Sequence, residues 1–357
     1  MGKENLSAEI KSRVSEYDII KGICILLVCI MHTGHPVYFM EYGFLFAFFF
    51  VSGCTFKRKP FGAFLKSKLL RIYVPFVLAN FAGYFIGKFY YSLSGYGGYG
   101  YTLKEAALRI FSFQIAENIM SPSWFLLPMF LVVFIFYFLH AALAKVARRD
   151  EVLLGVTFVI FLIGLYFRQP LSSIIWNKCS VVYSLTYALF FCALGYYYHN
   201  HPKVSRKIVS GKYTAEIFVL SLLFMNEIWS HYDYTLNVRY GETSSGAMTV
   251  ILSVVGVFSF VCLARYMTKM PVFNKVFCLL GRHSLAIMLF HIICYGVVTI
   301  ALHYIMEWDY PVTWAFGYYS EKISYLNALA GAVIPVVVAE GWGYVKRLRP
   351  KYMSDKN

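Results

Sequence analysis

Tyr17–Thr33 reads YDIIKGICILLVCIMHT. Apart from Asp18, Lys21 and His32 the stretch is apolar or small, the composition of a helix placed in hydrocarbon. Ionisable groups inside such a helix are expensive to keep and mark functional sites by default. Lys21 and His32 stand eleven residues apart, close to three helical turns, so they share a face about 16 Å apart along the axis. At 100° per residue Asp18, Lys21, Ile25 and His32 fall on one narrow stripe. That stripe is expected to face a bundle interior or a wet cavity. Two readings of Asp18 and Lys21 stay open: an i,i+3 ion pair at the interface, where long side chains snorkel, or membership of a site. His32, deeper in the run, is the first candidate for chemistry, against the alternative of a histidine bonded to neighbouring backbone. His35 follows three residues on, just before Pro36, and is a weaker competitor nearer the far interface.

Working outward, the apolar pattern repeats. A bilayer core of about 30 Å takes about 20 helical residues. Spans are predicted at 18–36, 38–56, 72–91, 123–143, 152–167, 181–198, 215–231, 246–266, 284–304 and 325–344. The second is the weakest, with its apolar part confined to Tyr42–Phe56 after Glu41. Of the 33 Lys and Arg, 25 fall in the loops on the N-terminal side of this pattern. Seven fall opposite, namely Lys88, Lys104, Arg109, Arg168, Lys178, Arg239 and Lys322, and Lys21 lies within a span. The positive-inside rule then puts both termini in the cytoplasm. The fold class expected is an all-α polytopic membrane protein of about ten transmembrane helices. Residues 1–17 form a cytoplasmic segment, 18–344 the transmembrane domain and 345–357 a basic cytoplasmic tail. No cleavable signal peptide is expected.

Composition agrees. Hydrophobic residues make up 59% and charged residues 14%, where a soluble domain carries about 25% charged. Mean hydropathy is +0.59. The 30 Tyr and 33 Phe gather near span ends, as in interfacial belts. The net charge of +15 sits in alternate loops and is an orientation signal, so no nucleic-acid partner is expected. The eight cysteines show no CxxC spacing and read as buried small hydrophobes, with no metal site. The longest outer loop, 92–122, opens with glycines and tyrosines that suit either sugar stacking or an interfacial belt. A further outer loop, 305–322, is also rich in Trp and Tyr.

Five segments in order resemble the acyltransferase 3 family of integral membrane acyltransferases. They are the opening YDIIKGICILLVCIMHT, FFFVSG (Phe48–Gly53), SKLLRIYVP (Ser67–Pro75), SWFL (Ser123–Leu126) and GRHSLAIMLFH (Gly281–His291). The resemblance covers most of the chain. The family's first-helix basic residue is often Arg where this chain has Lys21, and Lys68 likewise replaces the first Arg of a basic pair with Arg71. Lysine keeps the charge and loses the bidentate fork.

The resemblance implies transfer of an acyl group, acetyl by default, from cytoplasmic acyl-CoA to a sugar hydroxyl of a surface glycan or lipid-linked intermediate. The location implied is a bacterial cytoplasmic membrane, with acyl-CoA as co-substrate and no permanently bound cofactor. On this reading His32 is the general base. Lys21, Lys68, Arg71 and Ser52 bind the CoA end, and the distance from Lys21 to His32 is comparable to an extended pantetheine arm. Asp18, Trp124, His291 and His35 are weaker candidates for the substrate channel, and Ser123 and Trp124 weak candidates for an oxyanion donor. A covalent route through Ser52 is disfavoured by depth, since Ser52 lies near the cytoplasmic end of its span. The competing readings are a transporter or exporter of a polysaccharide or lipid-linked intermediate, and a passive partner in a polysaccharide machine. Paired mid-helix interruptions, the mark of many transporters, are not evident.

Overall fold

A computed structural model describes residues 15–34, 37, 40–94, 100–175, 180–203, 205, 213–232, 234–239, 241–306 and 323–354. His35, the glycine–tyrosine stretch 95–99, most of the N-terminal segment and the aromatic stretch 307–322 lie outside the described residues.

Every predicted apolar run lies on a helix. These are α1 (Ser15–Met31), α2 (Glu41–Cys54), α4 (Val74–Ser94), α6 (Leu126–Ala142), α7 (Arg149–Ile175), α8 (Ser180–Asn200), α9 (Thr214–His231), α10 (Gly246–Met267), α12 (Ser284–Met306) and α13 (Ser324–Ser354). Three shorter helices lie between them: α3 (Phe61–Lys68), α5 (Leu103–Phe111) and α11 (Pro271–Arg282). Among the described residues, six helices are long and apolar enough to cross a membrane by length and composition, and α2 is a shorter apolar helix. Their outward faces carry Leu78, Phe85, Phe89, Val159, Val337 and Val338, and that of α9 carries Leu220, all exposed. Apolar side chains on an outer surface are what a lipid solvent asks for.

Helix α1 is the hub. It packs on α2, α10, α11, α12 and α13, and its residues from Tyr17 to Cys29 are buried almost without interruption. A helix hydrophobic all round belongs in a core, and the polar stripe of α1 therefore meets protein. Helix α2 buries most of its length, meets α10 with Gly43 against Gly256, and crosses α8 where each helix sets a glycine against the other's backbone. A Cβ on Gly53 would strike the Cys192 carbonyl, and one on Gly195 the Phe50 carbonyl. Small residues let helix backbones approach closely in membranes, which explains the Ser-Gly end of this span.

Three features depart from the simple pattern of spans. Leu69–Tyr73 forms a π-helical turn joining α3 to α4. Asn118–Phe125, with Pro122 inside it, forms a 3-10 segment leading into α6. Amphipathic α5 begins at a capping box, in which Thr102 accepts from the Glu105 backbone N–H and the Glu105 side chain bonds back to Thr102. The Thr102 backbone N–H and hydroxyl hold the Glu105 carboxyl below its usual range. The one paired strand element among the described residues is a short antiparallel hairpin, β1 (Leu236–Asn237) with β2 (Glu242–Thr243). Gly241, at φ +68°, supplies the left-handed backbone that its turn uses.

Candidate active site

Helix α1 ends at Met31, and His32 stands on the turn just beyond, its backbone N–H still donating to the Val28 carbonyl at 3.1 Å. Its Nδ1 lies 2.8 Å from the Val28 carbonyl oxygen. A carbonyl only accepts, so Nδ1 carries the hydrogen and a neutral ring keeps its lone pair on Nε2. The half-buried ring thus holds its basic nitrogen away from its own helix.

His291 stands behind it. This residue of α12 is fully buried, and its Nδ1 lies 2.8 Å from the Ile287 carbonyl oxygen. By the same argument its Nε2 is an acceptor, and it faces His32 Nδ1 at 3.4 Å. The two rings sit 5.0 Å apart, tilted by 53°. The His32 N–H is therefore shared between a strong contact to Val28 and a weaker one to His291, and both fix the same tautomer. One turn along α12, Tyr295 donates to the Cys29 carbonyl at 2.7 Å and ties α12 to α1. Gly331 of α13 lies against both His291 and Tyr295. His291 is thus a sealed residue backing His32, with no surface on a channel.

A second cluster lies toward the other end of α1. Lys21, Ser52, Thr55, Arg71, Met129, Ser284 and Met288 line a cavity of about 320 Å³. Lys21 pairs with Asp18 at 2.7 Å, so the local ion pair is formed and Lys21 still borders the cavity. Ser52 donates to the Met129 sulfur at 3.1 Å. Lys68 does not line this cavity; its Nζ lies 5.7 Å over the Phe64 ring. The π turn begins just after Lys68 and contains Arg71. Its i→i+5 bonding widens the turn, so residues three apart no longer share a face and only Arg71 meets the cavity. The cavity climbs to Met288, one turn of α12 below His291.

Ser123 is buried and already donates to the Met120 carbonyl at 2.7 Å, with Asn80 donating to its oxygen at 3.2 Å. Its neighbour Trp124 is half-buried and packs on the core. The guanidinium of Arg239 lies 5.7 Å over the Trp124 ring. Arg239 sits on the tip of the β-hairpin. Helix α8 pins that tip: Ser184 donates to the Val238 carbonyl at 2.6 Å and Tyr187 to the Gly241 carbonyl at 3.1 Å. The sequence reading used Arg239 only as a loop charge. The available signal was its rarity, an arginine in loops otherwise poor in basic residues.

The arrangement is thus a basic cavity at one end of a buried helix and a tautomer-fixed imidazole near the other. Neither a curated protein nor a solved structure matches the chain. A family model described as Acyl_transf_3, an acyltransferase domain, matches residues 14–338. The chain belongs to the acyltransferase 3 family of multi-pass membrane acyltransferases.

Proposed function

We propose that the protein is a ten-span membrane O-acyltransferase with both termini in the cytoplasm, moving an acyl group, acetyl by default, from acyl-CoA to a sugar hydroxyl of a surface glycan in a bacterial cytoplasmic membrane. The observation that carries this reading is the hydrogen bonding of His32, which leaves Nε2 as the free base.

The acceptor hydroxyl gives its proton to His32 Nε2 while its oxygen attacks the thioester carbonyl carbon. The tetrahedral intermediate collapses, the C–S bond breaks, and the leaving thiolate takes the proton back from the imidazolium. The products are an ester and free CoA. Such general acid–base work contributes about 10²–10⁴-fold. Lys21 and Arg71 at the cavity mouth supply charge for the nucleotide phosphates, and the distance to His32 suits the pantetheine arm. The placement of Lys68 on Phe64 makes Arg71 the stronger of the two basic candidates. Ser52 serves as cavity wall and not as nucleophile, since its hydroxyl is bonded to Met129 near the opposite end of the site from His32.

The test is acceptor-dependent release of CoA by purified protein in detergent. A His32→Ala protein that inserts and elutes normally is expected to lose at least about 10²-fold in kcat. Wild-type turnover in that variant would refute the role of His32. Trapping of an acyl group on Ser52 would replace direct transfer by a covalent route.

A further inference from the structure

A larger cavity opens at the other end of α2. Glu41 at the start of this helix borders it, whereas Ser52 and Thr55 at its finish border the basic cavity. The two openings are separated by roughly 20 Å of helix. The far cavity has a volume of about 690 Å³, within the usual range for small-molecule sites. Its walls come from the end of α9 and from the hairpin, and include Trp229, Tyr232 and Tyr234, Asn237, Glu41 and Glu242.

The cavity is built. Tyr42, fully buried, lies 5.1 Å from the Tyr234 ring and 6.1 Å from the Trp229 ring. The Tyr234 hydroxyl is held by Thr249 at 2.8 Å. Ring faces are therefore fixed before any ligand arrives. The carboxylates of Glu41 and Glu242 have no hydrogen-bond or ion-pair partner among the described residues. Rigid aromatic faces with carboxylate acceptors and an amide on the rim match one ligand chemistry well: a ring that is apolar on its C–H face and carries hydroxyl donors on its edge. A carboxylate accepts from hydroxyls and repels an anion.

The hairpin leads from this cavity to Trp124. Asn237 on β1 borders the cavity, and Arg239, whose guanidinium lies over the Trp124 ring, follows two residues later. Two residues span at most about 7 Å.

We propose that this cavity is the docking site for an uncharged sugar of the acceptor, from which a hydroxyl is presented past Trp124 and Arg239 to His32. The proposal rests on the acyl-transfer reading for its purpose and on the cavity alone for its ligand class.

The test uses full-length protein in detergent and a panel of methyl glycosides: neutral glucoside, galactoside, mannoside and N-acetylglucosaminide, anionic glucuronide, and cationic glucosaminide. Binding is read by saturation-transfer NMR, and acetyl transfer from acetyl-CoA is measured separately. Neutral glycosides are expected to bind the wild type and the glucuronide to be rejected. Trp229→Ala and Glu242→Gln are each expected to weaken binding at least tenfold and to raise the acceptor KM, with KM for acetyl-CoA unchanged. Glu242→Gln sits on the exposed rim and guards against misfolding of the tryptophan variant. Absence of binding by every neutral glycoside, equal binding in both variants, or binding of the glucosaminide alone would overturn the proposal. Loss of transfer with glycoside binding intact would instead count against the acyl-transfer reading.

Discussion

His32 and His291 are 259 residues apart in the chain and touch in the fold. The first was legible as a candidate because its depth in an apolar run makes its cost plain. The contact was not, because no local pattern links α1 to α12. The geometry makes His291 a positioning residue: it accepts from the His32 N–H and touches no reacting atom. His291→Phe is expected to lower kcat about three- to tenfold, the range of one neutral hydrogen bond, with KM unchanged. His291→Gln, which restores an acceptor, is expected to recover part of that loss. A Phe variant with unaltered kcat, or a Gln variant no better than Phe, would show that His291 only fills space. The basic pair separates at this scale as well. Arg71→Ala is expected to raise KM for acyl-CoA about tenfold or more, the value of a charge-assisted bond, and Lys68→Ala to do much less. Equal effects of the two would contradict the cavity assignment.

Elements were the most readable level. Each predicted apolar run became a helix, because uninterrupted apolar length leaves the backbone no other way to satisfy its own groups. What escaped were the irregular joints: the π turn at Leu69–Tyr73, the 3-10 segment at Asn118–Phe125 and the hairpin at 236–243. These depend on neighbours that periodicity does not see. The π turn follows directly on Lys68 and contains Arg71, and the hairpin carries Arg239, which by sequence alone is only one of the few outer-loop charges. The α2–α8 crossing rests on Gly53 and Gly195, each set against the other helix's backbone. Gly53→Leu places a side chain where the Cys192 carbonyl stands. It is expected to destabilise the bundle by about 1–3 kcal/mol, the usual cost of overpacking, read as a lower melting temperature in detergent. Gly62, whose Cβ would meet nothing within 4 Å, is the control, and Gly62→Leu is expected to cause no such drop in melting temperature.

At the scale of the whole molecule the account is one of two mouths and a buried helix between them. The basic cavity lies toward the start of α1 and the aromatic cavity beside the start of α2; under the proposed function donor and acceptor would meet across the bundle, at His32. Charge asymmetry in the loops supplied an orientation from sequence; the cavities required the fold. The most direct measurement places the protein in sealed vesicles of known orientation. Labelled acetyl-CoA is confined to the side of Arg71, and a glycan acceptor to the side of Glu41. Label is expected to appear on the acceptor with wild-type protein, to vanish with His32→Ala, and to vanish when acetyl-CoA is supplied only on the Glu41 side. Equal transfer from acetyl-CoA on either side, or transfer that survives loss of His32, would contradict the account.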